Sequence, residues 1–323
     1  MSPAEAAAPP SSPDGQGARL SLTDRLAGGL VHAILALLRL VPDRAALGMA
    51  AAFGATYARL RGPRTAGAMV NLRIAFPEWS DEKRRDVMVR SFANLGRGLA
   101  EFARVGSLSP EALRERVSVE GFEHLEAARK ASPTGGVVVL TAHFGAWEIL
   151  AAAMVARDVP AALVHRPREN PILNALLGQM RGDSGAELLA RGNAARAALT
   201  GLKNGRVIAM PYDQNCSRRE GVFVPFFGRL ACTRDGPPRI AMRTGSPVIP
   251  VFLYRQPDGI HHVARFSPPI ELVPEGDDKA AALLENAARM TRPIEDAIRT
   301  APEQWIWIHR RWRTQPEGER HPY

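Results

Sequence analysis

From Val117 to Phe266 the chain alternates short β-branched runs with longer segments whose apolar residues recur at helical spacing. VSVEG precedes the helical FEHLEAARK, and GGVVVLTA precedes GAWEILAAAMVARD. AALVHR leads to NPILNALLGQMRG, and AELLA leads to NAARAALTGLKNG. RVIAMPYD follows, then a loop, the helical GPPRIAMRTG, and two further strands, PVIPVFLYR and HHVARF. A long helix is predicted over about 277–300 before the chain ends near WIWIHRRWR. This rhythm predicts an α/β fold, a largely parallel central sheet with helices on both faces.

The pattern upstream is different. Residues 1–20 are rich in Ala, Pro, Ser and Gly and read as a disordered tail. No basic stretch leads them into an apolar core, so they do not resemble a signal peptide. LAGGLVHAILALLRL, residues 26–40, falls short of the ~20 apolar residues a spanning helix needs. It contains His32 and Arg39, and Leu26, Leu30, Ile34 and Leu38 recur every fourth residue. After VPDR comes a small-residue segment ending at Leu60. Residues 26–60 therefore read as a helical segment lying on a membrane surface. A tilted span and an ordinary core helix are the alternatives. The division predicted is a helical, membrane-associating N-terminal extension over 21–115, an α/β core over 116–315 and a short tail over 316–323, with no internal repeat.

Composition adds a constraint on partners. The 323 residues can bury a sizeable core, and 42 basic against 33 acidic residues leave +9. That surplus suits nucleic acid, phospholipid headgroups, phosphorylated lipids or an acidic carrier protein, and equally a merely solvated basic surface. Nothing resembles a helix-turn-helix, a zinc finger or an aromatic RNA platform, so no nucleic-acid partner is expected. Cys216 and Cys232 form no close metal-ligand pair and cannot make a disulfide framework, so a reduced cytoplasm is the default compartment.

The candidate chemistry sits in VVVLTAHFGAWEIL, residues 137–150. His143 falls where a strand ends and a helix begins, the edge at which α/β proteins place ligands. Glu148 lies within the first turns of that helix, and a turn at Gly145 and Ala146 can fold its carboxylate back toward the ring. A carboxylate on one imidazole nitrogen fixes the tautomer and leaves the other nitrogen as a base. Alone, the pair is more often that of a structural histidine. No Ser, Cys or Lys stands beside it as a nucleophile, so a catalytic His143 would activate a hydroxyl of the substrate. No second His or Cys stands at metal-ligand spacing, although folding can bring His165 near. His165-Arg166-Pro167 closes the next strand, and Asp213-Gln214-Asn215 closes a later one.

Beyond single residues, an ordered set of segments carries a resemblance: NLRIAFPEWS, NLGRGLAEF, AHFGAWE, HRPRENP, YDQN, GVFVPFFGRLACT and PEQWIWIHRRWR. In order and spacing the chain resembles, over roughly residues 20–315, the bacterial lipid A late acyltransferases, the lauroyl and myristoyl transferases. These are related to the glycerolipid acyltransferases. The resemblance implies acyl transfer from an acyl-carrier-protein thioester, or acyl-coenzyme A, to a hydroxyl of a phosphorylated glucosamine lipid. It implies the cytoplasmic face of the bacterial inner membrane, and no metal or cofactor besides the thioester.

It makes His143 the base and Glu148 the group that orients it. Arg166 becomes a clamp for a phosphate or the acceptor, and Asp213 and Gln214 order the site. Phe226, Phe227 and Gly228, with Phe223, would line an acyl or lipid surface, or belong to the core. Arg310 and Arg311 suit anion contact or a solvated basic end. Ala146 departs from the asparagine that many members carry there. Two rivals stay open: an acyltransferase using another phosphoglycolipid, an aminolipid or a lysophospholipid, and a non-enzymatic basic module binding membrane or nucleic acid.

Overall fold

The computed structural model describes residues 41–60, 62–164, 171–189 and 194–323, together with Gly28, Gly29, Val31, Ala33, Leu37, Arg39 and Leu40. From Asp43 the chain forms helices α1 (Asp43–Arg59), α2 (Pro63–Ala75), α3 (Asp81–Arg104) and α4 (Pro110–Arg116). Ser80 caps α3 by accepting the Lys83 N–H, with Asp81 and Glu82 in the first turn and Arg104 in the last, as the helix dipole favours. The α/β part follows: β1 (Val117–Glu120), α5 (Phe122–Ala131), β2 (Val137–Thr141), α6 (Leu150–Val155), β3 (Ala161–Val164), α7 (Pro171–Gly182), β4 (Glu187–Leu189), α8 (Ala194–Lys203) and β5 (Val207–Pro211). A hairpin, β6 (Gly221–Phe226) and β7 (Arg229–Arg234), leads to α9 (Gly236–Thr244), β8 (Val248–Arg255), β9 (His262–Phe266) and α10 (Lys279–Thr300).

The main sheet has seven strands in the order β1-β9-β8-β2-β5-β3-β4. β8, β2, β5, β3 and β4 run parallel. β9 pairs antiparallel with β8 and parallel with β1, so this edge is reversed. The connection from Arg255 to His262 is too short for the helical crossover a parallel partner needs, which forces the reversal. Both faces are covered, as the β-branched runs predict. Val138 and Leu140 of β2 join a core with α2, α3, α8, α9 and α10. Val137 and Val139 face a second core, built with α4, α5 and α6.

α3 holds the N-terminal helices to the sheet. A Cβ at Gly96 would stand 2.1 Å from the Ala50 carbonyl, and one at Gly54 would stand 2.1 Å from the Phe92 carbonyl, so glycine lets α1 and α3 touch backbone to backbone. Deeper in, Glu101 of α3 is 2% exposed and accepts two hydrogen bonds from the Arg255 guanidinium, at 2.8 and 2.6 Å. His262 Nε2 lies 2.8 Å from the same carboxylate, and Arg116 Nη2 lies 3.5 Å from it. Arg116 and Arg104 both pair with Asp43, at the start of α1. This buried ionic group joins α1, α3, α4 and the β8–β9 edge.

The segment after α10 folds back across the sheet. Asn71 of α2 donates to the Trp307 and His309 carbonyls, Ser91 to that of Trp305, and Asn94 to that of Glu303. Tyr323 donates to Asn71 and accepts from the Trp312 N–H, so the final residues pack against this segment. Among the described residues no helix is long and apolar enough to cross a membrane. The stripe Leu26, Leu30, Ile34 and Leu38, and residues 1–20, lie outside the described residues.

Candidate active site

β2 and β5 are neighbours in register, with Thr141 opposite Pro211. The residues just beyond their C-terminal ends are therefore brought together, although 70 positions separate His143 from Asp213. Asp213 is 1% exposed, and its carboxylate is fully engaged. Oδ1 lies 2.8 Å from His143 Nδ1, while Oδ2 accepts the His143 backbone N–H at 3.0 Å and the Trp305 indole N–H at 2.7 Å. Burial alone would push the Asp213 carboxyl up. The charge of His143 and these hydrogen bonds outweigh it and hold the pKa down at about 2. For His143, burial disfavours the cation, but the Asp213 carboxylate in contact and the Glu148 charge further away lift its pKa above the ordinary value.

The turn after β2 is fixed by the C-terminal segment. The Gly145 N–H donates to the Gln304 carbonyl, the Ile306 N–H donates to the His143 carbonyl, and Phe144 bridges Trp305. Gly145 has φ +59°, and a Cβ there would stand 1.8 Å from the Leu253 carbonyl, so no larger residue fits the turn. A short 3₁₀ turn, Trp147–Ile149, then enters α6. It sets Trp147 edge-on to the His143 ring, with centroids 5.2 Å apart.

Glu148 emerges from the same turn but does not hold the ring. Both its oxygens are taken by Arg181 of α7, at 2.7 and 3.2 Å. The hydrogen bond the sequence reading gave to Glu148 is made by Asp213, because β5 already places a carboxylate at Nδ1. Gln214 lies against the ring, its amide nitrogen 3.2 Å from Nε2 and 3.3 Å from Nδ1. With the Nδ1 proton committed to Asp213, only Nε2 can accept from that amide. A cleft of about 50 Å³ opens here, lined by His143, Pro211, Tyr212, Gln214 and Arg234. A larger hollow of about 440 Å³ lies at the opposite ends of the strands, among Val159, Ala161, Glu187 and Arg206, away from this chemistry.

Other expected site residues stand elsewhere. His165 and Arg166 lie outside the described residues. Phe226 is fully buried and packs on Phe227, Trp305 and Trp312, which leaves it no surface for an acyl chain. Phe227 and Gly228 form the β6–β7 turn with φ of +51° and +72°, and Phe227 packs on Phe76 rather than into the cleft. Arg311 is also fully buried, donating to the Cys232 carbonyl and Thr233 and stacking over Phe226, so it is neither an anion site nor a solvated end. The hairpin brings the Cys216 and Cys232 sulfurs to 3.6 Å as free, buried thiols, a proximity their sequence separation hides. Sequence reasoning missed Trp305 as a partner of the acid. The only signal was its place in PEQWIWIHRRWR. It also missed His309, whose Nε2 accepts the Asn215 N–H and whose pKa burial depresses to about 4.

Comparison with known proteins gives this geometry a setting. A family profile described as bacterial lipid A biosynthesis acyltransferase matches residues 17–314. The lipid A biosynthesis lauroyltransferase of Escherichia coli (strain K12) is 32% identical over 249 residues, covering 77% of this chain and 78% of the relative. The palmitoleoyltransferase of the same strain is 29% identical over 253 residues, 78% of this chain and 79% of its own. The myristoyltransferase is 27% identical over 259 residues, 79% and 77% respectively. The histidine beyond β2 thus sits in a chain that the family profile matches over residues 17–314, and the protein is an acyltransferase belonging to the bacterial lipid A biosynthesis acyltransferase family.

Proposed function

We propose that the protein moves a fatty acyl chain from an acyl-carrier-protein thioester to a hydroxyl of a lipid A precursor, a secondary acylation in lipopolysaccharide biosynthesis. The observation that carries the reading is the His143–Asp213 pair at the C-terminal edge of the parallel strands, in a chain of this family. Asp213 holds the Nδ1 proton and favours the imidazolium. The acceptor hydroxyl replaces the Gln214 amide at Nε2, which takes its proton as the oxygen attacks the thioester carbonyl. The displaced Gln214 N–H then stands beside the developing oxyanion. The tetrahedral adduct collapses, the C–S bond breaks, and the imidazolium proton goes to the departing thiolate. An ester and a free thiol result. The thioester supplies the leaving group, so the reaction needs no further cofactor. Glu148, paired with Arg181, adds negative charge near the ring and favours its protonated state.

The site works at a membrane surface. α1 buries Leu47, Ala51, Gly54 and Ala58, yet also carries Met49, Phe53 and Tyr57 on its exposed side, followed by Leu60. A helix apolar on both sides needs a second apolar phase. Arg44 and Arg59 on the same helix are exposed, as suits an anionic headgroup layer. These exposed side chains support a seat on the cytoplasmic face of the bacterial inner membrane, peripheral or anchored through the N-terminal segment. The test is reconstitution of purified full-length protein with a phosphorylated lipid A precursor and a choice of acyl-carrier-protein or coenzyme A donors. Mass spectrometry should find one acyl ester added to the lipid, with the carrier-protein donor preferred. Acyl transfer to lysophospholipid but not to the glycolipid would overturn the assignment.

A further inference from the structure

Cys216 and Cys232, the only cysteines in the chain, meet beside the site and take no part in the mechanism above. An antiparallel bridge joins Asn215 to Thr233, so the next opposed pair along the two segments is Cys216 and Cys232. Directly opposed residues bring their Cβ atoms to ~4.5–5.5 Å, close to the span of a disulfide. The two sulfurs stand 3.6 Å apart as free thiols. Their space is shaped for sulfur, since a Cβ at Gly221 would stand 2.4 Å from Cys216 Sγ. The surroundings also suit a thiolate. The hydrogen bond from Cys216 outweighs burial and, with the Arg311, Arg218 and Arg234 guanidiniums nearby, draws the Cys232 thiol below its ordinary value.

We infer that Cys216 and Cys232 are an oxidation site that closes to a disulfide and latches the loop beyond β5, with a peroxide as the oxidant. One thiolate attacks the peroxide O–O bond, which breaks to leave a sulfenic acid and an alcohol or water. The second sulfur then displaces the sulfenic oxygen. The S–S bond forms, the S–O bond breaks, and the thiol proton leaves with that oxygen as water. The two sulfurs are oxidised and the peroxide is reduced. A reducing thiol reverses the closure by exchange, so the dithiol is the resting form where such thiols prevail. Cys216 stands two residues from Gln214, whose amide must leave Nε2 before the acceptor hydroxyl can enter. The disulfide ties this loop to β7, holds Gln214 on the ring and slows turnover. The effect on turnover rests on the transferase reading above, whereas the closure itself does not.

The test compares full-length protein in detergent after hydrogen peroxide and after dithiothreitol. Peroxide should take the titratable thiols from two to none, and a non-reduced digest should yield peptides joined through Cys216 and Cys232. The thermal midpoint should rise by about 5 °C, because a closed loop limits the unfolded chain. Amide exchange across Tyr212–Arg218 should slow by about tenfold. Turnover should fall by about tenfold as the loop is held, and dithiothreitol should restore it. Cys216→Ser and Cys232→Ser should keep the reduced wild-type turnover and lose every response to peroxide. Two thiols that survive peroxide, sulfurs oxidised separately or joined between molecules, or a disulfide that leaves exchange in that segment unchanged would overturn the inference. A fall in turnover that persists in both serine variants would overturn it too. Should a serine variant not fold, the digest and the exchange of wild type decide alone. Turnover of the reduced wild type tests the transferase reading separately: an inert enzyme would count against that reading, while the digest and exchange still decide the latch.

Discussion

An imidazole serves as a base when one nitrogen is tied down and the other can reach substrate, and Asp213 provides the first condition through a carboxylate that is itself held by Trp305. Asp213→Asn removes the largest influence raising the His143 pKa. The acid limb of kcat/KM should therefore move to lower pH, while kcat falls by about 10²–10⁴-fold as the tautomer is lost. Glu148→Gln should move the limb the same way but less, since Glu148 acts on the ring at a distance. A pH–rate profile of the two variants checks both, and an Asp213→Asn limb at the wild-type position would refute the pairing. The sequence showed His143, because a β-branched run ending in histidine marks the ligand edge of a sheet. It also marked Asp213 as a site residue. It could not show that these two pair, because that contact is created by β2–β5 registry. The spacing from His143 to Glu148 reported nearness without direction, and the 3₁₀ turn sends that carboxylate to Arg181.

At the level of elements, the regular alternation made every strand of the main sheet legible. The β6–β7 hairpin was read as a loop, because Pro225 and the Phe-Phe-Gly turn break the apolar alternation that marks a strand. The reversed edge was also hidden, since strand direction depends on connection length and not on strand composition. That edge is secured by Glu101, whose carboxyl would be raised by burial but is brought down to about 2 by His262 and Arg255. Glu101→Gln leaves Arg255 without its buried counter-charge and should cost ~3–5 kcal/mol, read as a lowered urea midpoint. An unchanged midpoint would show the cluster to be energetically neutral. Acid should act on the same groups. Glu101 and Asp213 both have depressed folded-state values, so their contribution is complete above the unfolded values of 4.5 and 3.8 and is lost as pH falls toward about 2. His143 is shifted the other way. Its contribution is complete below 6.5 and fades as pH rises through its raised folded value. Unfolding free energy followed across acid pH in Glu101→Gln should lose much of the wild-type slope there.

For the whole molecule, one chain of contacts runs from the exposed stripe of α1, through the glycine crossing with α3, to Ser91 and Asn94, which hold the segment that clamps the catalytic turn. The proposed membrane contact and the proposed base therefore share one frame. Replacing Met49, Phe53 and Leu60 by serine leaves the buried side of α1 intact and removes apolar surface worth ~1.5–3 kcal/mol per side chain when fully buried in lipid. Vesicle partitioning should fall by about tenfold or more per residue, and the remaining binding should become salt-sensitive. Partitioning equal to wild type would place the membrane contact elsewhere. The basic surplus was plain from composition, but the exposed stripe was not, because helical spacing alone cannot tell which apolar side is already covered by α3. The central claim is that His143 removes the proton from an acceptor hydroxyl. Its most direct test is single-turnover transfer from acyl-carrier protein to a lipid A precursor by purified, folded His143→Ala, beside wild type. The account predicts a rate lower by about 10²–10⁴-fold with acceptor still bound. A His143→Ala enzyme that transfers at a near-normal rate would contradict it.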